Sequence, residues 1–140
     1  MSTAASAGPT LPNSTVRSYA LIGIVLYAFG IVLNRIGNDL SQFWLVPYAD
    51  TVTALGFVVA LYTATLAGLS TRSVVLIGLV YGVGTYFLGE PDSTQTASGL
   101  GSGLDHMIRI YIGLGLVSAA TVILVALAYY RTRAKPGLPA

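Results

Sequence analysis

The chain has 140 residues, of which 54% are hydrophobic and 9% charged, and its mean hydropathy is +0.75. Water-soluble domains carry about 25% charged residues, so this composition excludes an ordinary soluble fold and predicts an integral membrane protein. The absence of cysteine excludes disulfides and thiolate metal sites, and the scattering of the seven basic residues along the chain argues against a nucleic-acid partner.

Four apolar stretches lie between two polar tails, and charged residues, proline or glycine bound each stretch. The predicted organisation is a disordered cytoplasmic tail, a transmembrane domain with four spans and a second cytoplasmic tail: 1–16, 17–130 (spans at about 18–34, 47–69, 73–89 and 104–130) and 131–140. A helix needs about 20 residues to cross the hydrocarbon core, and about 17 at least. Because backbone polar groups in lipid must be satisfied within the protein, we predict an all-α bundle of four transmembrane helices.

The charged residues divide between the two sides of this bundle. With four spans, the two tails and the 70–72 turn share one side, which carries five basic residues and no acid: Arg17, Arg72, Arg131, Arg133 and Lys135. The two remaining loops share the other side with two arginines and all five acids: Arg35, Arg109, Asp39, Asp50, Glu90, Asp92 and Asp105. The positive-inside rule therefore predicts a multi-pass protein of the cell membrane with both termini in the cytoplasm. A virion envelope is an alternative location.

The sequence also shows a weak internal similarity at an offset of 55 residues. Twelve identities fall between residues 17–69 and 72–124, among them Arg17 with Arg72 and Asp50 with Asp105. Either the two halves are tandem helical hairpins that arose by duplication, or they share only the ordinary vocabulary of membrane helices.

Small residues are the expected contacts between helices, because lipid is as apolar as leucine and helices in it associate through close packing. Three of the predicted spans carry such residues at regular spacing: Gly56, Ala60, Ala64, Gly68, Gly78, Gly82, Gly115 and Ala119. We expect them to pack within the chain, with contact to a second copy as the alternative.

A candidate polar cluster lies on the predicted outer side, and it comprises five residues: Asp50, Glu90, Asp105, His106 and Arg109. The structural interpretation is that Asp50 and Asp105 interact with the N-termini of the second and fourth helices. The functional alternatives are a metal site or a proton-transferring histidine. The spacing of these residues is not that of a ligand set, so we expect no metal.

Trp44 lies in a segment that we expect to form one interfacial helical turn, where it would anchor the protein at headgroup depth or contact a larger partner. The central ten residues of each span contain no ionisable Asp, Glu, Lys, Arg or His. Polar atoms there come from hydroxyl groups: Tyr27, Thr63, Thr65, Tyr81, Thr85, Ser118 and Thr121. Ionisable residues at that depth usually mark ion or proton pathways, so their absence argues against a proton-coupled antiporter.

Three functions remain open. The chain contains no catalytic constellation, which favours a non-catalytic accessory or structural subunit of a membrane complex or envelope, without cofactor. Its partners would be the lipid bilayer and either other membrane subunits or further copies of the chain. A small channel or carrier for a neutral or weakly polar solute is the second hypothesis. A redox-associated subunit is the third, although a single histidine cannot supply both axial ligands of a haem.

Overall fold

The computed structural model describes residues 11–89 and 99–134, and nearly all of them are helical. The four long helices are α1 (Asn13–Asp39), α2 (Val46–Leu66), α3 (Thr71–Leu88) and α4 (Gly99–Ala134), and a short 3-10 turn, Phe43–Leu45, precedes α2. Each long helix contains a segment that is long and apolar enough to cross a membrane. The predicted all-α bundle of four membrane helices is therefore confirmed.

Two of the helices extend several residues beyond their predicted spans, whereas the bounds of α2 and α3 differ from the prediction by three residues at most. α1 begins at Asn13 and not near residue 18, so the predicted tail is wrong for residues 13–16. Val16 is 3% exposed and Arg17 bonds to α4, so tertiary packing carries the helix into a polar stretch. α4 runs from Gly99 to Ala134, past both predicted ends of the fourth span. The remainder of both predicted tails, residues 1–10 and 135–140, lies outside the described residues.

The helices pair as two consecutive hairpins. α1 packs mainly on α2, and α3 packs mainly on α4. The hairpins meet because α4 also contacts α1 and α2, whereas α2 and α3 touch less extensively. Gly84 is the buried residue of α3, so α3 is the peripheral helix of the bundle.

Close approach of the backbones holds each hairpin together. A Cβ added to Gly56 on α2 would lie 2.8 Å from both the carbonyl oxygen of Gly23 and the Cα of Tyr27 on α1. In the second hairpin, a Cβ added to Gly113 on α4 would lie 2.8 Å from the carbonyl oxygen of Gly84 on α3. These are backbone atoms that cannot rotate away, so glycine is required where the helices cross.

A cluster of buried apolar residues joins α2 to α4. Its members come from α2, the turn that follows it and α4: Phe57, Ala60, Ala64, Leu69, Ala120 and Leu124. The ring of Phe57 also stacks on the ring of Tyr81, with centroids 3.6 Å apart. Among the described residues, this stacking is the aromatic contact that joins α2 to the peripheral helix α3.

The predicted packing residues separate into two groups. Gly56, Ala60 and Ala64 are buried on the face of α2 that contacts its neighbours. The prediction of packing within the chain is wrong for the other five: Gly68, Gly78, Gly82, Gly115 and Ala119. A Cβ added to any of these four glycines would meet nothing within 4 Å, and Ala119 is exposed while its neighbour Ala120 is 1% exposed.

Gly68 ends α2 instead of packing it. Its φ of +78° lies in the left-handed region, which glycine enters without strain. The N–H of Gly68 donates to the carbonyl of Thr65, and the N–H of Leu69 donates to the carbonyl of Ala64. These two bonds form a Schellman motif, which satisfies carbonyls at the end of a helix and reverses the chain.

The buried positions of the two hairpins do not match when the sequence is aligned with itself at the offset of 55 residues. The buried α1 residues Val16, Ala20 and Tyr27 correspond at this offset to positions 71, 75 and 82 of α3, which are all exposed. The hairpins thus share their order and connectivity while using different faces of α1 and α3. The positions that are buried in α1 and α3 therefore do not reflect a duplication.

Candidate functional site

Polar side chains gather at the two ends of the bundle. We call the end where α1 finishes and α2 and α4 begin the acidic end, since Asp39, Asp50 and Asp105 lie there. At the other end α1 begins, the α2–α3 turn reverses the chain and α4 finishes, and we call it the basic end. It carries four arginines of the described residues: Arg17, Arg72, Arg131 and Arg133.

At the acidic end, a chain of hydrogen bonds links α1 to α2. The Nδ2 of Asn38 donates to the Oδ1 of Asn34 at 2.8 Å, and the Nδ2 of Asn34 donates to the Oδ1 of Asp50 at 2.8 Å. Neither asparagine was predicted from the sequence to have a role in the site. Their spacing of four residues near the end of the first span is the signal that could have identified them, because it places them on one face of the helix.

The expected interaction of Asp50 and Asp105 with helix N-termini is wrong. α2 begins at Val46 and α4 at Gly99, and neither has an acidic residue in its first turn. Both helices start earlier than their apolar stretches suggest, so these carboxylates lie beyond the unpaired N–H groups. Asp50 receives its hydrogen bond from an asparagine side chain instead.

The structure does not join the remaining members of the predicted polar cluster. Asp105 and His106 are exposed and Arg109 is partly exposed, while Glu90 lies outside the described residues. The ion pair recorded at this end joins Arg35 to Asp39, with Nε and Oδ2 3.0 Å apart. Within residues 11–89 and 99–134, no group of three or more histidine or acidic residues could hold a metal ion.

Trp44 lies in the 3-10 turn at the acidic end, so this segment forms the helical turn predicted from the sequence. The Trp44 side chain is 64% exposed, and its indole Nε1 donates to the Oε1 of Gln42 at 2.6 Å. Its ring meets the ring of Tyr48 edge to face, with centroids 6.4 Å apart. The turn therefore presents an aromatic surface at the end of the bundle, a place where membrane proteins concentrate tryptophan and tyrosine.

The hydroxyl groups in the middle of the bundle are bonded within the protein. Tyr27 on α1 and Ser118 on α4 share a hydrogen bond of 2.8 Å between their hydroxyl oxygens, which joins the two hairpins. Thr63 and Thr121 are fully buried, and each donates to a carbonyl of its own helix, four residues earlier. Among the described residues, no buried side-chain nitrogen or oxygen lacks a partner.

Two arginines at the basic end fasten helices that are distant in sequence. The Nη2 of Arg17 donates to the carbonyl oxygen of Thr132 at 2.9 Å, and its guanidinium lies 5.6 Å from the centroid of the Tyr129 ring. Arg131 donates through Nη1 to the carbonyl of Gly68 in the α2–α3 turn. From the sequence, these arginines served only to orient the chain. Their partners include backbone carbonyls, which no sequence pattern identifies.

Polar residues thus join helices at three levels: an asparagine–aspartate chain at one end, a hydroxyl pair in the middle and arginine contacts at the other end. Comparison of the chain with protein-family models, with curated proteins and with solved structures finds no match.

Proposed function

We propose that this multi-pass membrane protein is a non-catalytic accessory or structural subunit of a membrane complex or envelope. The observation that carries the proposal is that every fully buried side-chain nitrogen or oxygen of the described residues has a hydrogen-bond partner within the protein. A site that handles a solute or a substrate needs polar groups that can exchange protein partners for ligand.

The threonines illustrate this argument against a channel or carrier. Thr53, Thr63 and Thr121 face the interior of the bundle, and each donates its hydroxyl proton to a carbonyl one turn earlier at 2.7–2.9 Å. A hydroxyl used in this way has no proton left to donate to a passing solute. The Tyr27–Ser118 pair likewise joins α1 to α4 and does not line a gap between them.

The exposed surface supports a role in assembly. The peripheral helix α3 presents Gly78 and Gly82 with open space around them. Small residues on an outward face allow the backbone of another membrane helix to approach closely. This arrangement favours other membrane subunits, or a second copy of the chain, as partners in addition to the lipid bilayer.

Purification from the native membrane tests the proposal. We expect the protein to co-isolate with other membrane proteins at a fixed stoichiometry, and we expect the purified chain alone in liposomes to give no solute flux above that of protein-free vesicles. Flux through the lone chain that Tyr27→Phe alters would instead establish a channel or carrier. Gly115→Ala is the matched control, because it adds one methyl group on the outside of the bundle and away from the α3 face proposed to meet partners.

We also propose that both termini are cytoplasmic and that the protein resides in the cell membrane, with a virion envelope as the alternative location. The support is the unequal distribution of basic residues, with four described arginines at the basic end and two, Arg35 and Arg109, at the acidic end. Basic residues are retained on the cytoplasmic side during insertion.

A further inference from the structure

The basic end of the bundle combines exposed arginines with an absence of acidic side chains among the described segments that meet there. The three acids of the described residues, Asp39, Asp50 and Asp105, all lie at the acidic end. Within the described part of the chain, the basic end is therefore a region of positive charge that no carboxylate side chain neutralises.

Two of the four arginines are used by the fold and two are not. Arg17 bonds to Thr132, and Arg131 bonds to the carbonyl of Gly68. Arg72 and Arg133 are exposed, and within the described part of the chain neither side chain has a hydrogen-bond or ion-pair partner. This division leaves two guanidinium groups available to a ligand.

The bond between Arg131 and Gly68 brings the two available arginines to the same region. It holds the last turn of α4 against the α2–α3 turn. Arg72 follows this turn as the second residue of α3, and Arg133 follows Arg131 by two residues on α4. The two side chains therefore extend from segments that one contact holds together, with Arg133 on a different face of α4 from Arg131 because residues two apart on a helix do not share a face.

The depth of this region matches the phosphate groups of a bilayer. α3 begins its apolar segment at Thr71, and the apolar segment of α4 ends at Arg133. Tyr130 is 72% exposed next to Arg131, which is the usual position of tyrosine at a membrane interface. Guanidinium groups bind phosphate oxygens in pairs of hydrogen bonds, and they retain their charge at any physiological pH.

We infer that the basic end binds the headgroups of anionic phospholipids, with Arg72 and Arg133 as separate contacts to phosphate groups and Arg131 holding their two segments together. The ligand is a lipid of the surrounding leaflet, because the arginines lie where the membrane helices leave the hydrocarbon. This inference does not depend on the proposed subunit role.

Native mass spectrometry of the full chain, purified in a neutral detergent, tests the inference. The probes are phosphatidylglycerol, which is anionic, and phosphatidylcholine, which has no net charge. We expect wild-type protein to prefer phosphatidylglycerol. We expect R72Q/R133Q to weaken its binding at least tenfold, based on roughly fivefold for each arginine near an anionic surface, and to leave phosphatidylcholine binding unchanged.

The matched control is R35Q/R109Q, which removes the same charge from the acidic end. The inference is overturned if R72Q/R133Q binds phosphatidylglycerol as wild type does, or if R35Q/R109Q weakens binding equally. It is also overturned if inorganic phosphate raises the melting temperature of the purified protein as much as the lipid does, because the site would then recognise free phosphate. Helical circular dichroism equal to that of wild type confirms that each variant is folded.

Discussion

Gly56 and Gly82 show how much the position of a small residue matters. Both are glycines in apolar helices, yet a Cβ on Gly56 would enter the backbone of α1 while a Cβ on Gly82 would meet nothing within 4 Å. In lipid, helices are held together by close contact and not by exclusion of water. The loss of one close contact therefore lowers the stability of the bundle directly.

We expect Gly56→Ala to lower the free energy of unfolding by about 1–3 kcal/mol, because the added methyl group forces α1 and α2 apart. Gly82→Ala should change it by less than about 1 kcal/mol, since the methyl group has room and alanine favours a helix. Titration with a denaturing detergent measures both values. Equal effects of the two substitutions would contradict the crossing described for α1 and α2.

The hydroxyl pair between Tyr27 and Ser118 is the second test at this scale. Hydrogen bonds between membrane helices average about 0.6 kcal/mol and reach about 1.7 kcal/mol. We expect Tyr27→Phe and Ser118→Ala each to destabilise the bundle within this range, and the double variant to cost less than the sum of the two. Strictly additive effects in the same unfolding titration would show that the two hydroxyls do not interact.

Among the helices, α3 is the one whose packing differs most from what its sequence suggests. Its composition resembles that of the other spans, but its buried residue is Gly84 and its contacts are mainly with α4. Its start is connected to the bundle by the α2–α3 turn, whose Gly68 carbonyl accepts a bond from Arg131. At this turn, α4 therefore restrains the connection between α2 and α3.

Removal of this restraint should loosen the turn without unfolding the bundle. A hydrogen bond from an arginine is worth roughly 1 kcal/mol at an exposed position, so we expect Arg131→Gln to speed amide exchange at residues 67–71 about fivefold. Arg133→Gln removes the same charge two residues away and should leave this exchange unchanged. Hydrogen exchange with mass spectrometry distinguishes them, and similar rates in both variants would argue that Arg131 does not restrain the turn.

For the whole molecule, the contacts of Arg17 and Arg131 place the start of α1, the α2–α3 turn and the end of α4 at one end of the bundle. The chain has no cysteine, so single cysteines can report which side of the membrane each segment faces. Ser14, Leu40 and Thr71 are exposed positions at the two ends.

We expect an impermeant maleimide added to intact cells to label Leu40→Cys, and to label Ser14→Cys and Thr71→Cys only after permeabilisation. This pattern follows from cytoplasmic termini and an even number of spans. Labelling of Ser14→Cys and Thr71→Cys from outside would reverse the proposed orientation. Different behaviour of these two positions would contradict the shared end seen in the fold.

The sequence by itself determined the features that depend on whether a residue lies in lipid or in water. Long apolar segments predict four membrane helices, because only a helix satisfies its backbone within lipid. The position of each charged residue predicts which segments share an end, because charge is excluded from the hydrocarbon. The helical turn at Trp44 follows from an equally local pattern.

Only the tertiary structure decided which face of each helix packs. A soluble helix reveals its buried face because the opposite face is polar, whereas a membrane helix is apolar on both. For this reason Gly84 and Gly113 could not be separated from Gly78 and Gly115 by sequence. The contacts of Asn34 with Asp50 and of Arg17 with Thr132 could not be predicted from the sequence for a related reason. They depend on how the helices are placed side by side, and the hydropathy of a single helix does not specify this.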